Sequence, residues 1–140
     1  WYLENVYPEM RVSDKRIRAS GAMITVSSQC VDSLGNRAGG EAGMYGCHGQ
    51  GGNQAWTYTQ GKEIRHVDLC LDSVNKGAGR VPVLRNCGDD SVIETQIWSH
   101  KDGLVYSEAT DTCLTFIQGA KQQLGLKKCH KGQQAQRWKF

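Results

Sequence analysis

Between Met44 and Tyr58 the chain reads MYGCHGQGGNQAWTY, which sets Cys47 and His48 side by side among closely spaced glycines, ahead of a polar-aromatic run. Three chemistries compete for the stretch. Zinc sites pair their ligands as Cys-x2–4-Cys or His-x3–5-His, and neither spacing occurs here. A phosphate-cradling loop ends in Gly-Lys-Ser/Thr; the run from Gly46 to Gly52 does not, so its glycines read as turn formers. Nucleophilic catalysis by Ser or Cys needs a positioned base and an orienting group, and no spacing supplies them. Neither a metal site nor a catalytic residue is expected. Polar recognition remains, by a phenol ring, an imidazole and an amide.

The elements that must position these groups come in three copies. Gln-x-Trp occurs as Gln54-Ala55-Trp56, Gln96-Ile97-Trp98 and Gln136-Arg137-Trp138, a period of about 40 residues that marks a repeat architecture. Cysteines recur in step with it, and the gaps within successive pairs are 17, 17 and 16. Six cysteines permit about 15 connectivities; the regular spacing singles out Cys30–Cys47, Cys70–Cys87 and Cys113–Cys129. Each such bridge would stabilise the fold by about 3 kcal/mol on the chain-entropy model and requires an oxidising compartment.

Within each unit the apolar stretches are short and β-branched or aromatic: Ala22–Val26, Ala55–Tyr58, Ile97–Ser99, Leu104–Tyr106 and Arg137–Phe140. Turn clusters separate them at Leu34–Asn36, Asn75–Gly79 and Cys87–Ser91. No window carries an apolar stripe of helical period. The pattern predicts an all-β fold, and three copies favour a pseudo-threefold barrel over a propeller, which needs at least about four blades. The domain is expected over 21–140, with repeats at about 21–62, 63–103 and 104–140. Residues 1–20 stand outside as an aromatic leader, Trp1–Pro8, and a polar linker that includes the basic cluster Lys15-Arg16-Ile17-Arg18.

Charge narrows the function classes. With 17 basic and 14 acidic residues the net charge is +3, which gives no basic stripe for nucleic acid. No apolar run approaches the roughly 20 residues that span a bilayer, so no direct membrane contact is expected.

Comparing the copies separates framework from function. The cysteines, Gln54, Trp56, Gln96, Trp98, Gln136 and Trp138 recur, so they read as structural: an indole buries a large apolar surface, and a Gln amide can donate and accept at a strand end. Other positions vary. Two residues after the first Cys stand Asp32, Asp72 and Thr115; two before the second stand Tyr45, Arg85 and Lys127. One after it stand His48, Gly88 and His130; just before the Gln stand Asn53, Thr95 and Ala135. Only the first copy combines a carboxylate, an aromatic ring, an imidazole and an amide. That set suits a sugar: Asp32 accepts from two vicinal hydroxyls, Asn53 donates and accepts, Tyr45 offers a face for C–H groups, and His48 donates to a further oxygen. The competing reading makes Asp32 a turn cap, Tyr45 core, and His48 and Asn53 loop surface.

The triple unit with Cys-x-Asp and Gln-x-Trp resembles the ricin-type lectin domain, a β-trefoil, over residues 21–140. It is more similar still to the C-terminal lectin domain of the polypeptide N-acetylgalactosaminyltransferases. The leader Trp1–Pro8 looks like the end of that family's catalytic domain, and Leu34–Gly40 and Gly51–Trp56 look like its first repeat. The resemblance implies a lectin domain that binds N-acetylgalactosamine on partly glycosylated mucin-type chains and steers further O-linked glycosylation. It carries the sugar site onto Asp32, Tyr45, His48 and Asn53. The second copy keeps only Asp72, a doubtful second site, and the third has lost the carboxylate. The parent would be a Golgi-lumen enzyme, anchored as a type II membrane protein, or a secreted one. It would use manganese and UDP-N-acetylgalactosamine in a catalytic domain that partners this one, leaving the present stretch catalytically inert and without a cofactor. The alternative is a protein-interaction or spacer trefoil with no working sugar site.

Overall fold

A computed structural model describes residues 14–73, 80–88, 91–120 and 122–140. The leader Trp1–Pro8 and the turn Asn75–Gly79 lie outside the described residues, as do Asp89 and Asp90. Elsewhere the chain is all β, as expected, with only short 3-10 turns besides. The first repeat carries β1 (Ile17–Gly21), β2 (Ile24–Thr25), β3 (Gln29–Asp32), β4 (Gly43–Gly46) and β5 (Trp56–Thr59). The second carries β6 (Ile64–His66), β7 (Leu69–Asp72), β8 (Val83–Asn86) and β9 (Ser99–Lys101). The third carries β10 (Leu104–Ser107), β11 (Thr112–Phe116) and β12 (Leu124–Lys127).

Each repeat contributes one antiparallel hairpin, β3–β4, β7–β8 and β11–β12. The end of one repeat pairs with the start of the next, β5 with β6 and β9 with β10. The ring closes where Ile24 and Lys139 exchange two backbone hydrogen bonds of 2.8 Å. The hairpins also satisfy one another's backbone: Ala42 N–H donates to Pro82 O, Met44 N–H to Gln122 O and Leu126 N–H to Arg80 O, each at 3.0 Å. This approach leaves no room for a side chain at Gly43, where a Cβ would stand 2.9 Å from Gln122 O.

The three repeat tryptophans sit in the common core, none more than 4 % exposed. Burial of so large an apolar side chain stabilises by roughly 1.5–3 kcal/mol, provided the indole N–H is satisfied. All three are. Trp56, Trp98 and Trp138 donate at 2.9 Å to Val31 O, Leu71 O and Leu114 O, the residues after the first cysteine of each repeat. The bridges Cys30–Cys47, Cys70–Cys87 and Cys113–Cys129 form as the spacing implies, and no cysteine is free. Tyr58 joins the core by donating its hydroxyl to Trp98 O, and burial raises its pKa, so the phenol stays neutral.

Several expectations shift. Ala22–Val26 shortens to Ile24–Thr25 because the chain turns at once through Val26–Ser28, with Ser27 at φ 61°. The Ile97–Ser99 strand begins only at Ser99, and Arg137–Phe140 is reduced to the single bridge at Lys139. The cysteine-bearing strands β3, β7 and β11, absent from the sequence reading, are well formed; their apolar runs are only two or so residues long.

The linker reading of 9–20 is corrected where it is described. Ile17–Gly21 is a strand that pairs with β5, so the sheet begins ahead of Gly21. The basic cluster is not simply solvated. Lys15 reaches the buried Glu63 carboxylate at 2.8 Å and also donates to Gly88 O, while Arg65 lies 3.5 Å from the same carboxylate oxygen. Arg18 lies 6.0 Å from the centre of the Tyr58 ring. A buried carboxylate stripped of a partner is costly. Lys15→Met should therefore lower stability by about 2 kcal/mol, less than a full pair loss because Arg65 remains. Arg16→Met, at an exposed pair with Asp14, should leave the urea midpoint where it is.

Candidate carbohydrate-binding site

The 3-10 turns Gly52–Gln54, Glu94–Gln96 and Gln134–Gln136 each end on the Gln of Gln-x-Trp. The first is set up by Gly51 and Gly52 at φ 72° and 60°, a region that costs glycine nothing. The turn drives the Gln side chain inward, where it is 2 % exposed or less in every copy.

In the first copy Gln54 is a hub. Its Nε2 donates to Asp32 Oδ2 at 3.1 Å and to Gly46 O at 3.0 Å, and its Oε1 accepts from His48 N–H at 3.3 Å. One amide therefore ties the end of β3, the end of β4 and the segment beyond Cys47. Asp32 and the His48 backbone bond to Gln54 directly, whereas Tyr45 is placed by the hairpin register and Asn53 immediately precedes Gln54. Asp32 and Tyr45 are diagonal neighbours on one face of the β3–β4 hairpin, since Cys30 pairs with Tyr45 and Asp32 with Gly43. His48 and Asn53 flank the hub from its two sides.

Each group has a defined presentation. Asp32 is 6 % exposed; besides Gln54 it accepts from Leu34 N–H at 2.7 Å. It thus caps the turn, as the competing reading held, and the same bond fixes its orientation. An ionised carboxylate has about four lone-pair sites, and these two bonds leave acceptor capacity for hydroxyls. Tyr45 is 64 % exposed, so it is surface and not core. His48 Nδ1 accepts from Gln50 N–H at 3.0 Å, which puts the ring proton on Nε2 and makes that atom a donor. Asn53 is exposed, and its backbone O accepts from Ser33 N–H at 2.9 Å. Its side chain borders a cleft of about 390 Å³ that continues past Arg37 and His66.

The sister copies repeat the hub with different surroundings. Gln96 donates to Asp72 Oδ2 at 3.2 Å and Asn86 O at 3.0 Å, beneath a cleft of about 490 Å³ lined by Asp72, Arg85 and Thr95. Gln136 donates to Thr115 Oγ1 at 3.1 Å and Lys128 O at 2.9 Å, and accepts from His130 N–H at 2.7 Å. Thr115 donates its hydroxyl back to Cys113 O at 2.9 Å, so the third copy presents no carboxylate and a committed hydroxyl. Sequence reasoning assigned the Gln residues to the framework alone. The signal for their second role was the joint presence, in two copies, of Cys-x-Asp and Gln-x-Trp, a carboxylate on β3 or β7 with an amide available to hold it.

The ricin-type beta-trefoil lectin domain model matches residues 19–138. The chain belongs to this family. The lectin domain is also homologous to C-terminal regions of polypeptide N-acetylgalactosaminyltransferases. It is 33% identical to polypeptide N-acetylgalactosaminyltransferase 4 of Mus musculus over 156 aligned positions, covering 100% of the chain and 26% of that protein. It is 43% identical to polypeptide N-acetylgalactosaminyltransferase 13 of Rattus norvegicus over 86 positions, covering 61% of the chain and 15% of the relative. It therefore spans about a quarter or less of these relatives. Among solved structures, GalNAc-T7 with UDP, GalNAc and Mn2+ superposes with a TM-score of 0.76 at 19% identity, over 99% of the chain and 25% of its own.

Among the described residues of the lectin domain, no three His, Cys, Asp or Glu side chains converge, and every cysteine is oxidised. Gln54→Leu, which keeps the side-chain volume, removes all three hub bonds and strands Gly46 O and His48 N–H. It should cost about 3 kcal/mol in chemical denaturation.

Proposed function

We propose that this carbohydrate-binding lectin domain binds N-acetylgalactosamine on partly glycosylated mucin-type chains through its first repeat, using Asp32, Tyr45, His48 and Asn53. In doing so it directs a parent glycosyltransferase in O-linked glycosylation. What supports the reading is that only the first copy combines a carboxylate, an aromatic ring, an imidazole and an amide, with the carboxylate and the His48 backbone N–H both bonded to the buried Gln54 amide. Asp32 takes two adjacent ring hydroxyls, Tyr45 packs on the C–H face, and His48 Nε2–H and the Asn53 amide reach further oxygens. Three disulfides accord with a Golgi-lumen or secreted setting. Manganese and the UDP-sugar belong to the catalytic domain that this reading supplies as a partner.

A shallow, open site makes few contacts, so free N-acetylgalactosamine should bind on the order of millimolar, about −4 kcal/mol. The test is binding of an N-acetylgalactosaminyl-threonine peptide, competed by the free sugar. Tyr45→Ala, at an exposed position, should weaken binding about tenfold without moving the melting temperature. Asp32→Asn should abolish binding, and Asp72→Asn should change it little. Binding that survives Asp32→Asn, or that fails to compete with free sugar, would instead make the domain a protein-interaction or spacer module.

A further inference from the structure

The departures that remove the second copy from the N-acetylgalactosamine pattern build a different site. Its cleft of about 490 Å³ lies over the β7–β8 hairpin and is lined by Asp72, Arg85, Ile93, Thr95 and Gln96. Gln96 orients the Asp72 carboxylate through Nε2, as Gln54 orients Asp32. The hydroxyl-binding end of a sugar site is therefore retained. Opposite it, Arg85 occupies the position of Tyr45: Cys70 pairs with Arg85 and Asp72 with Val83, so Arg85 and Asp72 are diagonal neighbours on one face. A guanidinium replaces the stacking ring. The hub differs too. In the first and third copies Gln Oε1 accepts from the backbone N–H that follows the second cysteine. In the second, Gln96 Oε1 is buried and has no hydrogen-bond partner among the described residues.

We infer that the second repeat binds an acidic sugar, a pyranose that carries a carboxylate. Its hydroxyls face the Asp72 carboxylate that Gln96 orients, and its carboxylate pairs with Arg85. The fork of a guanidinium matches a carboxylate in two parallel hydrogen bonds. Ile93 provides the apolar wall that packs against ring C–H groups, and the Thr95 hydroxyl can donate or accept beside it. The carboxylate of Asp72 sets the polarity of the bound ring, because it repels an anion at its own end and leaves the Arg85 end for it. A neutral sugar of the same ring geometry meets Asp72 but leaves Arg85 without its counter-charge. This site shares no side chain with the first-repeat reading, and the two stand or fall separately.

The experiment is an amide-shift titration of the whole chain with methyl β-D-glucuronide, methyl α-N-acetylneuraminate and, as neutral control, methyl β-D-glucoside. At least one acidic probe should move the Thr95 amide and the Gln96 side-chain resonances, and bind at least about fivefold more tightly than the control. Raising the salt concentration should erode that margin. Arg85→Gln, an exposed substitution, should remove the preference for acid while leaving the fold and first-repeat binding unchanged. Asp32→Asn should leave acidic-sugar binding intact. The inference is overturned if neither acid shifts Thr95 and Gln96 at tens of millimolar. Equal affinity for the neutral control, or a preference that persists in Arg85→Gln, overturns it as well.

Discussion

The buried Gln side-chain amide is the interaction on which the rest of this molecule depends. In each repeat it bonds the side chain two residues after the first cysteine and the carbonyl just before the second; in two repeats it also takes the backbone N–H beyond the second cysteine. An amide is the right group because it has two donors and a carbonyl acceptor in one plane. A carboxylate could not donate, and a hydroxyl could not reach three partners. The neighbouring indole supplies apolar burial and a second bond to the same strand. The disulfide, with its Cα atoms 5.1 Å apart in every copy, holds the hairpin base on which both depend.

This arrangement explains why the side chains around the hub can differ between copies without loss of fold. The hub accepts either a carboxylate or a hydroxyl at the end of the cysteine strand, so Thr115 replaces Asp32 and Asp72 at little structural cost. The facing position on the partner strand is exposed in all three copies, and Tyr45, Arg85 and Lys127 are equally tolerated there. Framework and function are not separate sets of residues, however. Gln54 holds the hairpin together and also aims the Asp32 carboxylate. A substitution at Gln54 would therefore reach both stability and, in the proposed sugar site, recognition.

The repeat, the bridges and the all-β class were legible because they depend on recurrence, and three copies in one chain supply their own comparison. Strand boundaries were less legible. The Cys-Val-Asp and Cys-Leu-Asp segments are too short to show alternation, and they are strands because an indole, a disulfide and a Gln amide hold them, all contributed from elsewhere in the chain. The start of the fold was also placed late. Lys15-Arg16-Ile17-Arg18 reads as a solvated charge run, but Lys15 is drawn to Glu63, a carboxylate buried 48 residues further on. Nothing local to the cluster signals that partner. For the candidate site, residue types were readable from the copies, whereas the His48 tautomer and the double bonding of Asp32 depend on side-chain geometry.

The claim that one Gln-centred frame serves recognition in the first copy has a direct spectroscopic test. The side-chain amide resonances of Gln54, Gln96 and Gln136 can be assigned and followed as N-acetylgalactosamine is added. The Gln54 resonances and the Leu34 backbone amide, both bonded to Asp32, should shift together on one binding curve while those of Gln96 and Gln136 stay fixed. Shifts confined to Gln96 or Gln136, or no shift at Gln54 when the sugar is saturating, would contradict the account.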